Sequence, residues 1–226
     1  MLNALFNIKQ IQYCRSVPDP NLSMTIVVQI LDLFGTMAFA VTGAFKAIEH
    51  NSDIVGIVIL STITGLAGGV IRDITFGKLP PTAITNSLYV TITVSTAIVI
   101  FFLYPFLKKH WSLFLNFDAV GLGIFTVIGS TFAYNIFGLN FLAMSFSGVL
   151  TAIGGGILRD VFVNDIPMVF VKELYASASF AGVITLFVLL SINVNISIGA
   201  VVAMIITTSI RLVAVKLNWN LPKARS

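Results

Sequence analysis

The chain has 226 residues, 57% of them hydrophobic and only 10% charged, with a formal net charge of +4. A soluble domain carries roughly 25% charged residues, and disorder needs low hydrophobicity with high charge. Both classes are excluded, which leaves an integral membrane protein. The single cysteine, Cys14, excludes an internal disulfide or a multi-cysteine metal site. His50 and His110 sit beside charged, loop-like residues and leave little for a histidine metal centre. In a membrane chain the positive charge reads as orientation rather than nucleic-acid binding.

Residues 1–23 are read as an extramembrane extension. Their apolar stretch is cut short by Lys9, Gln10 and Gln12 and then by Pro18 and Pro20, unlike the unbroken core of a secretory signal. A helix needs about 20 apolar residues to cross the hydrocarbon core. Seven runs qualify: Thr25–Ile48, Ile54–Phe76, Ile84–Leu107, Leu113–Phe137, Leu139–Val163, Phe170–Ile192 and Ile196–Leu217. They are apolar all round rather than alternating, which argues against a β-barrel. With an odd number of spans the termini lie on opposite sides. Lys46, Lys108, Lys109, Lys172, Arg211, Lys216, Lys223 and Arg225 gather on the C-terminal side, against Lys9, Arg15 and Lys78 on the other. The expected orientation is N-terminus outside and C-terminus cytoplasmic.

The sequence repeats internally. Asp32-Leu-Phe-Gly-Thr-Met-Ala-Phe-Ala-Val-Thr-Gly43 aligns with Asp118-Ala-Val-Gly-Leu-Gly-Ile-Phe-Thr-Val-Ile-Gly129. Gly65-Leu-Ala-Gly-Gly-Val-Ile-Arg-Asp73 aligns with Ala152-Ile-Gly-Gly-Gly-Ile-Leu-Arg-Asp160, at an offset one residue longer. Pro80-Pro81 and Pro167 follow, then Leu88-Tyr89 and Leu174-Tyr175. Spans one to three therefore recur as spans four to six. Units with an odd number of spans must face opposite ways, which makes an inverted repeat of the kind found in transporters and some channels. The expected organisation is an extension (1–23), a first repeat (24–110), a second, inverted repeat (111–194), a seventh helix (195–217) and a tail (218–226). The fold class is all-α.

Gly68-Gly69 and Gly154-Gly155-Gly156 lie in the second and fifth spans. Each glycine disfavours a helix interior by roughly 1 kcal/mol relative to alanine. Broken helices at equivalent places in inverted halves point to a binding or permeation site, and close packing through small residues is the alternative. The pathway is the preferred reading, because each cluster is followed at fixed spacing by Arg72-Asp73 or Arg159-Asp160. A charge at the bilayer centre costs at least ~2.5 kcal/mol, so the two pairs brace the helices, line a wet cavity or grip a lipid phosphate. Pairing across the repeats is the structural option. Asp32 and Asp118 either draw cations to a pore mouth, cap a neighbouring helix or pair with an arginine of the other half. Lys172-Glu173 opens the sixth span where the third has Thr85-Asn86, an asymmetry open to a functional or an interfacial reading. Thr62, Thr64, Ser145, Ser147 and Thr151 add hydroxyls to the glycine-bearing spans, and Thr91, Thr93 and Ser95 to the third. Such hydroxyls either replace an ion's water or bond back to their own helix. Tyr89 and Tyr175 either narrow a pathway or anchor at an interface.

Two tandem copies of Asp-x-x-Gly…Phe-x-Val-x-Gly, each leading to Gly-Gly-x-x-Arg-Asp and a proline, resemble the prokaryotic trimeric intracellular cation (TRIC) channel family, which has also carried a glycine-transporter label. The resemblance covers about residues 26–217. It implies a homotrimer in a prokaryotic cell membrane, with one pore per protomer between the repeats. It also implies second and fifth helices kinked at the glycines, and conduction of K⁺ with some Na⁺. The first repeat departs from the pattern, with Ala67 where a triple glycine is typical. No cofactor is implied beyond the permeant ion, and membrane lipid is a candidate ligand. Secondary transport of a small zwitterion such as glycine is the alternative activity. An intramembrane enzyme is not expected, because no nucleophile–base or metal set is present.

Overall fold

The structure is a computed structural model and describes residues 22–107, 111–171, 174–217 and 219. Residues 1–21, Lys172, Glu173 and most of the 218–226 tail lie outside the described residues, as do Lys108, Lys109 and His110. The described chain is all-helical: α1 (Leu22–Glu49), α2 (Ile54–Thr75), α3 (Thr82–Thr85), α4 (Ser87–Leu107), α5 (Trp111–Phe137), α6 (Phe141–Phe162), α7 (Met168–Val171), α8 (Ala176–Ser191) and α9 (Ile196–Leu217). Six of these helices are long and apolar enough to cross a membrane. The seventh, α8, has 16 residues, or about 24 Å at 1.5 Å per residue.

Two of the expected spans start late. The third was expected to run unbroken from Ile84, but Asn86 is extended and separates α3 from α4. The sixth was expected from Phe170, but α7 stops at Val171 and α8 begins at Ala176. Both breaks have one cause. The second carboxylate oxygen of Asp73 accepts from the backbone N and the hydroxyl of Thr82, both at 2.8 Å. Asp160 accepts from the backbone N of Met168 at 3.0 Å. Each aspartate holds a free helix-start amide, so the chain turns there before it crosses.

The order α1–α2–α3–α4 recurs as α5–α6–α7–α8, and α9 packs on α5 and α8. The repeat extends to its turns. Asp53 caps α2 by accepting from Gly56 N at 2.8 Å, and Asn140 caps α6 by accepting from Ala143 N at 3.1 Å, each contact contributing about 1 kcal/mol. The left-handed turn residues also correspond: Asn51 with Gly138, and Gly77 with Asn164, at φ between 56° and 73°. Only glycine and asparagine take that conformation at little cost.

Inside a bilayer, helices associate through van der Waals packing and small residues rather than through release of water. The centre of the molecule shows this. A Cβ on Gly68 would strike the Thr151 carbonyl, and one on Gly155 would strike the Thr64 carbonyl. These are the same contact seen from the two repeats. It presses α2 against α6 backbone to backbone.

Candidate functional site

Both glycine-bearing helices, α2 and α6, run helical without interruption through their glycines. The chain is not unwound there, and Gly68, Gly154 and Gly155 serve the crossing. Gly154 faces Ile71 and the Cα of Gly68. The next glycines face elsewhere. Beyond its chain neighbours and the backbone of its own helix turn, a Cβ on Gly69 would come no nearer than 3.9 Å to another atom, an Arg72 nitrogen, and one on Gly156 would lie 3.0 Å from the Tyr175 hydroxyl. Gly69 and Gly156 thus open onto two polar clusters near opposite ends of the spans.

The first cluster joins α1, α2, α3 and α4. Arg72 donates through Nε and Nη2 to Asp73 Oδ1 at 2.9 and 2.7 Å. Its guanidinium also lies over the ring of Phe132, 4.8 Å from the centroid. The Tyr89 hydroxyl donates to Asp32 Oδ2 at 2.6 Å. Arg72 makes no ion pair with Asp32; its partner is Asp73. Between these groups lies a cavity walled by Asp32, Thr36, Gly69, Arg72 and Tyr89, with Phe125 of the other repeat also lining it.

The second cluster joins α5, α6, α8 and α9 and is closed. Arg159 donates to Asp160 through Nε at 2.8 Å and to Asp118 Oδ1 through Nη1 at 2.9 Å. The same Nη1 reaches the Thr42 hydroxyl of the first repeat at 3.0 Å. Tyr175 donates to Asp118 Oδ1 at 3.2 Å. Arg159 and Asp118 are fully buried. A buried guanidinium is tolerable only where carboxylates and acceptors surround it, and this one has two carboxylates and a hydroxyl.

Several expectations change. Each arginine pairs with its own neighbouring aspartate, not with a counterpart in the other half. Asp118 pairs with Arg159 of its own repeat, and Asp32 with Tyr89; neither reaches an arginine across the repeats. What crosses is the Arg159–Thr42 hydrogen bond and the stacking of Arg72 on Phe132. Most of the expected pore hydroxyls are already engaged. Thr64, Thr91 and Thr151 bond back to their own helices, Ser147 donates to the Gly129 carbonyl, and Thr62 meets Thr93 at 3.2 Å. Ser145 is buried and has no partner among the described residues. Lys172 and Glu173 lie outside the described residues.

Three residues escaped the sequence reading. Arg211 was counted as an end-of-span topology charge, yet it is fully buried with its guanidinium 4.7 Å from the Tyr175 ring centre. A lone arginine inside an otherwise apolar run was the available signal. Thr36 and Thr42 stand where the second repeat has Leu122 and Ile128. The mismatch was visible in the aligned repeats, although its meaning was not.

The family model described as "Glycine transporter" matches this chain twice, over residues 29–105 and 115–191. The chain is 32% identical to the UPF0126 inner membrane protein YadS of Escherichia coli strain K12, over 87% of this chain and 96% of that one. It is 34% identical to the UPF0126 membrane protein YvgT of Bacillus subtilis strain 168, over 86% and 95%. Among solved structures, a TRIC cation channel studied for its conductance superposes with a TM-score of 0.81 at 31% identity, covering 88% of this chain and 97% of that one. The TRIC orthologue of Rhodobacter sphaeroides gives 0.81 at 30%, covering 84% and 98%. A TRIC counter-ion channel of calcium release, 13% identical with a TM-score of 0.58, shares the fold alone. The duplicated match, the near full-length relatives and the shared all-helical fold place this multi-pass membrane protein in the prokaryotic TRIC channel family, the same family whose model is described as a glycine transporter.

Proposed function

We propose that the chain forms a monovalent cation channel, permeable to K⁺ and to some Na⁺, with a separate pathway in each protomer of a homotrimer. The observation that carries this is the pair of polar clusters at opposite ends of one inter-repeat seam. Asp32, Arg72, Asp73 and Tyr89 stand at the N-terminal end, and Asp118, Arg159, Asp160 and Tyr175 at the other. Charged side chains inside a bilayer persist where they line a path or satisfy one another, and here each end does both in different measure. Between them the seam is thin, because glycines bring α2 and α6 together. Carboxylates at a pore mouth favour cations, and a passive path needs no cofactor and no covalent chemistry. On this reading the chain lies in a prokaryotic cell membrane with its N-terminus outside and its C-terminus cytoplasmic. The excess of Lys and Arg on the C-terminal side supports that orientation even with the buried Arg211 left out of the count.

The test is ion flux from liposomes containing the purified protein, loaded with KCl and diluted into an impermeant salt. A proton ionophore and a pH dye report K⁺ efflux, and labelled glycine uptake is followed in parallel. Fast K⁺ efflux without glycine accumulation is expected. Saturable glycine uptake with little K⁺ leak would refute the channel reading.

A further inference from the structure

The two repeats share one plan and differ one turn beyond their first aspartate, where the first has Thr36 and the second Leu122. Both side chains are buried, at 2% and 0% exposure. The other buried threonines each donate to a carbonyl of their own helix. Thr36 does not. Among the described residues its hydroxyl makes no hydrogen bond, and it lines the first-repeat cavity beside Asp32. The hydroxyl is therefore not tied to its own helix, and it borders the cavity where an occupant could use it. Asp32 has a similar vacancy of bonding. Its Oδ2 is held by Tyr89, and among the described residues its Oδ1 accepts no hydrogen bond.

We propose that Asp32 and Thr36 bind one partly dehydrated monovalent cation in this cavity, and that the second repeat has no equivalent site. The inference deepens the channel reading and rests on it. Arg72 attracts Asp32 through space but makes no hydrogen bond to it, because its guanidinium bonds to Asp73 and lies over the face of Phe132. The cavity therefore keeps one carboxylate beyond its arginine. A single carboxylate with neutral hydroxyl oxygens suits a monovalent ion. A divalent ion of the Ca²⁺ type asks for six to eight oxygens, several of them from carboxylates.

The second repeat shows why the site is single. There Asp118 also keeps one oxygen, Oδ2, without a hydrogen bond among the described residues, but Leu122 replaces the hydroxyl and Arg159 Nη1 lies 2.9 Å from Oδ1. The difference between the arginines follows from sequence. Arg159 is drawn inward by the Thr42 hydroxyl at 3.0 Å. The residue of the second repeat that corresponds to Thr42 is Ile128, whose side chain has no acceptor to offer Arg72. Tyr89 acts as a positioning residue, since its hydrogen bond fixes the Asp32 carboxylate.

Thallium(I) serves as the K⁺ probe. Crystals of the full-length wild-type protein, grown in thallium acetate, are expected to show one anomalous peak in the cavity next to Asp32 and Thr36. The peak is expected to vanish in Asp32→Asn and to weaken in Thr36→Val. In solution, melting is followed in KCl against N-methyl-D-glucamine chloride. The KCl concentration giving half-maximal stabilisation is expected to rise at least tenfold in Asp32→Asn and several-fold in Thr36→Val. Both substitutions keep side-chain volume, and equal melting temperatures in the glucamine salt show that the variants fold. Absence of a cavity peak, or a peak that survives Asp32→Asn, overturns the site. Liposome flux on the same preparations separates the two readings. Normal K⁺ efflux without cavity thallium refutes this site and leaves the channel standing. Cavity thallium that Asp32→Asn removes, in a protein that passes no K⁺, upholds the site and refutes the channel.

Discussion

Phe39 and Phe125 occupy the same position in the two repeats, and their rings pack on each other with centroids 5.2 Å apart and planes tilted by 42°. Both are essentially fully buried. A residue that meets its own counterpart lies at the centre of the pseudo-two-fold relation, so this pair marks the middle of the seam between the two polar clusters. Phe125 also forms part of the wall of the first-repeat cavity. In the packed state the two rings close the midplane.

Phe125→Ala removes one ring from that contact. Large-to-small core changes of this kind destabilise by about 3–5 kcal/mol. The expected outcome is a lower melting temperature together with a higher K⁺ leak per folded protomer in liposomes. A lower melting temperature with unchanged or reduced leak would show that the rings do not obstruct the path.

The adjacent glycines of α2 and α6 are expected to respond oppositely to one methyl group. In Gly155→Ala the new Cβ would meet the Thr64 backbone carbonyl and the Phe39 ring. Backbone cannot step aside as a side chain can, and overpacking of this kind costs typically 1–3 kcal/mol. In Gly69→Ala the nearest atom is 3.9 Å away, at the flexible end of Arg72. Thermal melting in detergent is expected to drop clearly for the first variant and to stay level or rise for the second, since alanine is the better helix former. Equal losses in both would undo the division between crossing glycines and site-facing glycines.

Arg159 holds the closed cluster. Arg159→Ala leaves Asp118 and Asp160 buried without their cation, and breaking a buried pair in this way costs about 3–5 kcal/mol. Thr42→Val removes one hydrogen bond to a charged group, worth about 1.5–3 kcal/mol. Both variants are expected to lose stability in that order while keeping the K⁺ to Na⁺ flux ratio. A changed ratio in stable Arg159→Ala protein would place the guanidinium in the conduction path instead.

Much of this arrangement was legible in the sequence, because the repeat is written in residue types with few substitutes. Glycine is needed at the α2–α6 crossing, and an Arg-Asp pair is needed to pin the next segment, so both recur at fixed spacing. Six membrane-length helices follow from hydropathy, and the shorter α8 fills the remaining expected place. What the sequence hid depends on the far side of the fold. Gly68-Gly69 reads equally as a break or as a contact until the Thr151 carbonyl is seen against it. Asp73 and Asp160 pin the turns that precede the third and sixth spans, so these spans start late, through hydrogen bonds to Thr82 and Met168, eight or nine residues onward, and hydropathy is blind to these. Thr36 and Thr91 are both hydroxyls in apolar helices, and only the structure shows that Thr91 bonds to Ser87 while Thr36 faces a cavity.

At the C-terminal end of the seam the repeats are tied by charge. Lys46 Nζ lies 2.6 Å from Asp165 Oδ2, and His50 Nε2 lies 3.4 Å from the same oxygen. The counterparts at the other end are Phe132 and Lys78, which meet as a cation over a ring at 5.8 Å. The same positions therefore join the repeats by different chemistry, and only one end is sensitive to acid. The Lys46 hydrogen bond, outweighing a small burial effect, holds the Asp165 carboxyl below its ordinary value of 3.8. A depressed carboxylate contributes its full stability above the ordinary value and loses it as pH falls through the lower, folded one. The contribution is modest, below ~1 kcal/mol, because the carboxylate is partly exposed and screened. In a His50→Gln background, which removes the second side chain that contacts Asp165, Asp165→Asn is expected to lower the melting temperature by a constant small amount from pH 7 to pH 5. The two proteins are expected to converge below about pH 4, where the aspartate is protonated. A gap that instead closes between pH 7 and pH 5 would show that some other group carries the tie.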